Sequence, residues 1–122
     1  MVSMFEELQS RFPRLFEGFL GPAYFDIGPG WYGIVAGLLE KLDAIDLPNL
    51  RVFQVKQKFG GLRCNLEGSW NDEASALVNQ AEQASFTICE QCGQEATCLH
   101  GETLCTACRV EKYKRVPRSS VD

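Results

Sequence analysis

The sequence predicts an α+β fold: a small helix-covered β-hairpin body followed by a C-terminal zinc ribbon. Three observations carry this. A broad apolar stripe marks a long helix over residues 31–45, with Trp31, Ile34, Val35, Leu38, Leu39, Leu42 and Ile45 successively one or three positions apart. Two strand-like runs meet at Gly60-Gly61 over residues 51–67, the pattern of a β-hairpin. Two C-x2-C pairs, Cys89/Cys92 and Cys105/Cys108, close the folded part of the chain. The expected organisation is a body over 1–88, a ribbon over 89–108 and a basic tail over 109–122.

Taken in order, Ser3 and Glu6 form a capping-box pattern before Phe5, Leu8 and Phe12, so a first helix is expected to end near Phe12. Pro13 breaks that ladder and suits the first position of a new turn carrying Leu15, Phe16 and Phe19. Residues 18–30 are rich in glycine and proline and read as an irregular, partly buried connection. In the long helix, Gly33 and Gly37 lie one turn apart and are expected to admit another backbone closely. After the hairpin, Asn71 with Asp72 and Glu73 is a helix start, and Ala74, Leu77, Val78, Ala81 and Ala84 give the buried stripe of a helix over 71–86.

A two-residue turn at Gly60-Gly61 sets a register. It places Phe59, Gln57 and Val55 opposite Leu62, Cys64 and Leu66 on an apolar face. On the polar face it sets Lys58 against Arg63 and Lys56 against Asn65. A like-charge cross-strand pair is unfavourable by a few tenths to about 1 kcal/mol, so Lys56, Lys58 and Arg63 form a cationic patch that calls for an acidic neighbour. That neighbour can be an internal carboxylate, a partner protein or a phosphate. These three residues are the candidate partner-binding site.

The 122-residue chain has a formal net charge of -4. Residues 1–88 and 89–108 are acidic and residues 109–122 basic, unlike a dedicated nucleic-acid binder with a basic face on its folded domain. No apolar run approaches the roughly 20 residues needed to cross a bilayer, and the N-terminus lacks a signal-peptide pattern. A cytoplasmic setting follows, and there six cysteines point to metal rather than disulfides.

Zn2+ takes four soft ligands tetrahedrally, and each C-x2-C turn supplies two thiolates. One structural Zn2+ on Cys89, Cys92, Cys105 and Cys108 is therefore expected, closed to substrate and so not catalytic. Cys98 and His100 are alternative ligands or outer partners, read more simply as a half-buried residue and a turn residue. Cys64 reads as core. A dithiol redox pair would need a βαβ context that is absent.

Gly-Pro-Gly-Trp-Tyr at 28–32, Gln-Val-Lys-Gln-Lys-Phe-Gly-Gly-Leu-Arg at 54–63 and the terminal cysteine pairs resemble a family of small uncharacterised proteins of bacteria and their phages. The resemblance spans roughly residues 26–108. Such proteins often carry His where Cys108 stands, and the resemblance implies a phage or prophage setting without a reaction. With one His and no nucleophile, phosphate-loop or H-E-x-x-H motif, the leading expectation is a non-enzymatic protein acting by stoichiometric protein binding. In a phage setting the host target could be a defence nuclease complex. The alternative is a nucleic-acid-binding or transcription-associated adaptor using Lys56, Lys58 and Arg63 with Arg109, Lys112, Lys114, Arg115 and Arg118.

Overall fold

A computed structural model describes residues 4–16, 24–45, 47–69 and 71–114. The chain is α+β. Helix α1 (Met4–Arg11) leads through a 3-10 turn, Pro13–Phe16, to strand β1 (Tyr24–Asp26). A second 3-10 turn, Pro29–Trp31, opens helix α2 (Tyr32–Ala44). The hairpin β2 (Arg51–Lys58) and β3 (Gly61–Glu67) precedes helix α3 (Asp72–Ser85). A second hairpin, β4 (Thr97–Leu99) and β5 (Glu102–Leu104), leads into helix α4 (Thr106–Lys114). The expected Ser3 cap and the Phe19 position lie outside the described residues.

The three-stranded sheet has the order β1-β2-β3, with β1 parallel and β3 antiparallel to β2. Strand β1 was expected to be irregular. Three residues give no alternation to read, and its parallel pairing with Gln54, Val55 and Lys56 is long-range in the chain. One sheet face is packed by helices: Trp31, Val35, Leu39 and Leu42 of the α2 region, Leu8, and Val52, Val55 and Leu62 form a continuous buried core. Full burial of each aliphatic side chain contributes about 1.5–3 kcal/mol. Cys64 joins this core, and burial pushes its thiol up to about 12. Asn71 caps α3 as expected, its Oδ1 accepting a hydrogen bond from the Ala74 N–H at 2.9 Å.

The hairpin turn is one residue earlier than its glycine pair implied. Phe59 (φ 54°) and Gly60 (φ 87°) occupy the two left-handed positions, and Gly61 is a ladder residue opposite Lys58. Gly61 is needed there for closeness: a Cβ would lie 2.5 Å from Cζ of Phe86. The faces survive this shift, but the pairs change. Val55 faces Cys64, Gln57 faces Leu62, and Lys56 rather than Lys58 faces Arg63. The ladder also slips between Val52 and Gln54, which lets Val52 and Val55 both point into the core and leaves Phe53 exposed. The acidic neighbour expected for the patch is internal at Arg63, whose Nε lies 3.5 Å from the Glu82 carboxylate of α3.

Gly33 and Gly37 do not receive a backbone. Among the described residues nothing lies within 4 Å of a Cβ built at either position. No helix among the described residues is long and apolar enough to cross a membrane.

Candidate metal centre

The four predicted cysteines converge. The Sγ atoms of Cys89, Cys92, Cys105 and Cys108 all lie within 4.8 Å of one another, and Cys92 and Cys105 approach to 3.6 Å. Metal–sulfur bonds of about 2.3 Å in a tetrahedron place sulfurs about 3.8 Å apart, so the donor set fits one tetrahedral thiophilic ion. Each pair is shaped the same way: the Cys92 N–H points at Cys89 Sγ (3.5 Å) and the Cys108 N–H at Cys105 Sγ (3.4 Å). The first pair sits on a knuckle turned at Gly93, φ 85°. The second straddles the start of α4, with Cys105 just before it and Cys108 within it, so the unit is knuckle, hairpin and helix. Cys98 and His100 lie outside the cluster; Cys98 is half-buried, and His100 is an exposed turn residue with φ 53°.

Burial pushes the Cys89 thiol up, but backbone hydrogen bonds from Cys105, Cys92 and Gln91 outweigh it and bring Cys89 down to about 6. Hydrogen bonding with the Cys105 and Cys92 thiols pushes Cys108 up. The opposite directions of these two shifts reflect how closely the four thiols crowd one another.

Both sequence motifs outside the cysteines are docking sites for this unit. Gly28 N–H donates to the Glu90 carboxylate (2.9 Å), Gly30 N–H to the Glu90 carbonyl (2.7 Å), and the buried Trp31 indole N–H to the Ile88 carbonyl (2.8 Å). A Cβ on Gly30 would lie 2.1 Å from the Cys89 carbonyl oxygen. At the other end, Thr103 Oγ1 donates to the Gly60 carbonyl (2.6 Å), and Gln57 Nε2 to the Gly101 carbonyl (2.9 Å). Glu90 lies between two cysteines of the cluster, and burial pushes its carboxyl above the usual range despite the Gly28 hydrogen bond.

Helix α4 runs across the boundary expected at residue 109. Arg109 donates to the carbonyls of Thr97, Glu102 and Leu104, and Lys112 and Tyr113 both reach the Glu102 carboxylate. Arg115 and Arg118 lie outside the described residues. A cleft of about 740 Å³ beside the cysteines is lined by Asp26, Glu90, Glu102 and Glu111, with Lys112. Lys58 projects at the hairpin tip with its Nζ over the Phe59 ring at 5.7 Å, and Phe59 is 73% exposed.

Comparison with protein-family models, with curated proteins and with solved structures finds no match.

Proposed function

We propose that the chain is a non-enzymatic binding protein, stabilised by one structural Zn2+ on Cys89, Cys92, Cys105 and Cys108 and acting by stoichiometric contact with a protein partner. The observation that carries the reading is the hairpin tip. Phe59 holds a left-handed conformation that costs an L-residue roughly 1–2 kcal/mol, yet its ring stays largely in water. The turn is pinned from behind by the β4–β5 hairpin through Cys98, Gly101 and Thr103, so the ring is a preorganised anchor of the kind that dominates protein interfaces. Lys58 beside it supplies a charged rim.

Zn2+ is favoured over other ions because a closed tetrathiolate with no open position is its usual structural site. Four protein ligands leave no coordination vacancy for a substrate. A protein partner is favoured over nucleic acid because Arg63, Arg109 and Lys112 are committed to internal contacts, and the adjoining cleft is acidic, repelling phosphate. With the phage setting that the resemblance implies, a host defence nuclease complex is the partner class to assay first.

The test is binding of the zinc-loaded protein to purified host nuclease complexes by light scattering and calorimetry, with Phe59→Ala and Lys58→Glu as variants. A defined stoichiometry that both variants weaken at least about tenfold, at unchanged melting temperature, supports the reading. Tight binding to bare DNA or RNA with a steep salt slope would transfer the function to the nucleic-acid adaptor.

A further inference from the structure

We infer that metal occupancy of the cysteine site sets the geometry of the Phe59-Gly60 turn through Thr103, which acts as a positioning residue for the recognition tip. This rests on the proposed zinc site and tip and adds a control on them. Thr103 is completely buried, although its side chain is polar. Its carbonyl accepts the N–H of Glu90, inside the first cysteine pair, at 2.9 Å. Two residues later in the chain stands Cys105. The Thr103 hydroxyl leaves the unit altogether and donates to the Gly60 carbonyl at 2.6 Å, a buried bond between residues 43 apart.

The turn is otherwise held from the same side. Cys98 Sγ points at the Phe59 carbonyl from 3.8 Å and fills the space a Gly60 Cβ would need, leaving 2.5 Å. Gln57 closes the contact to Gly101. The helices hold the hairpin only from its next residues onward, through the Leu62 N–H on Ser85 Oγ at 2.8 Å and Phe86 against Gly61. The left-handed Phe59 thus depends on the β4–β5 hairpin of the metal unit, while the rest of the first hairpin depends on α3 and β1. Losing the ion loosens β5, and with it the donor that fixes Gly60. Metal-free protein is then left with a folded body and a disordered anchor.

The experiment uses the full chain and Zn2+ alone as ligand, with amide hydrogen exchange followed residue by residue by NMR and zinc stoichiometry measured by mass spectrometry. Removing zinc by chelation is expected to accelerate exchange at Gly61, the ladder amide that closes the turn opposite Lys58, at least about tenfold, while α2 and α3 amides change less than about twofold. Thr103→Val, still holding one zinc, is expected to reproduce the acceleration at the turn. Thr103→Ser, which keeps the hydroxyl, is expected to restore protection even if the valine variant folds poorly. A turn that keeps its protection after chelation overturns the inference, as does wild-type exchange in zinc-loaded Thr103→Val. Exchange that rises uniformly through α2 and α3 also overturns it, because the ion then holds the whole body. Failure to take up zinc would instead overturn the proposed metal site, and loss of partner binding plays no part in the readout.

Discussion

Replacing Gly30 with alanine tests the seam between body and knuckle in a single methyl group. The new Cβ would sit 2.1 Å from the Cys89 carbonyl oxygen, 2.6 Å from the Gly93 nitrogen and 2.7 Å from the Glu90 carbonyl carbon. All three are backbone atoms, so no rotamer change relieves the clash. The knuckle must retreat by about 1.3 Å to bring the 2.1 Å contact to ordinary van der Waals distance. That movement breaks the Gly30–Glu90 hydrogen bond, worth about 1 kcal/mol net, and strands the indole N–H of fully buried Trp31, at about 1–3 kcal/mol. The expected loss is about 3 kcal/mol, which lowers the melting temperature by about 12 °C for a chain of this size. Gly33→Ala is the internal control three residues away. Nothing lies within 4 Å of its Cβ, so helix propensity alone acts and stabilises by about 1 kcal/mol. Circular dichroism melts with saturating zinc, together with zinc competition against a chromophoric chelator, measure both. Gly30→Ala within 0.5 kcal/mol of wild type, or strongly destabilised with unchanged zinc affinity, would refute a seam that couples body and metal site (the 0.5 being about the scale of neutral surface changes).

Three further outcomes follow from particular residues. Cys105→Ser should abolish stoichiometric zinc binding and Cys98→Ser should leave it intact, checked by native mass spectrometry, because only the former belongs to the thiol cluster. Phe59→Asn, a residue that tolerates the left-handed region, should raise the denaturation midpoint by up to about 1 kcal/mol in stability while removing the anchor, checked by urea titration beside the partner assay. Cys64 ionises near 9 when unfolded and near 12 when folded, so its contribution is fully present below pH 9 and is lost as pH rises from 9 to 12, at up to about 1.4 kcal/mol per pH unit. Cys64→Ala should flatten that part of the stability curve.

What the sequence made legible was whatever local spacing encodes. The stripe from Trp31 to Leu42, the Asn71 cap and the two C-x2-C pairs each act within a few residues, and each stands where spacing put it. The hairpin was legible in its faces but not in its pairs. Two adjacent glycines offered two possible turns; the one at Phe59-Gly60 is formed, and Gly61 answers instead to Phe86, 25 residues on, whose ring leaves no room for a Cβ there. Strand β1 and the seam are long-range for the same reason. Nothing near Gly28 or Gly30 signals Glu90, and the expected Lys58–Arg63 pair dissolved once the turn moved. Arg109 read as tail because its charge was visible and its three carbonyl acceptors were not.

The dependence of Trp31 on Ile88 has a meaning for the chain while it is being made. Synthesis runs from the N-terminal towards the C-terminal side, so the long helix and the first hairpin emerge before the segment that receives the indole N–H and covers the turn. Until translation passes residue 88 the indole has no acceptor on that segment, and until it passes Thr103 the Gly60 carbonyl lacks its donor. The nascent body therefore presents an unfinished edge to chaperones and proteases for the time taken to complete the knuckle and capture an ion. Supply of the ion that the proposed site takes then acts on the yield of finished molecules, at birth, as well as on the turn of molecules already made.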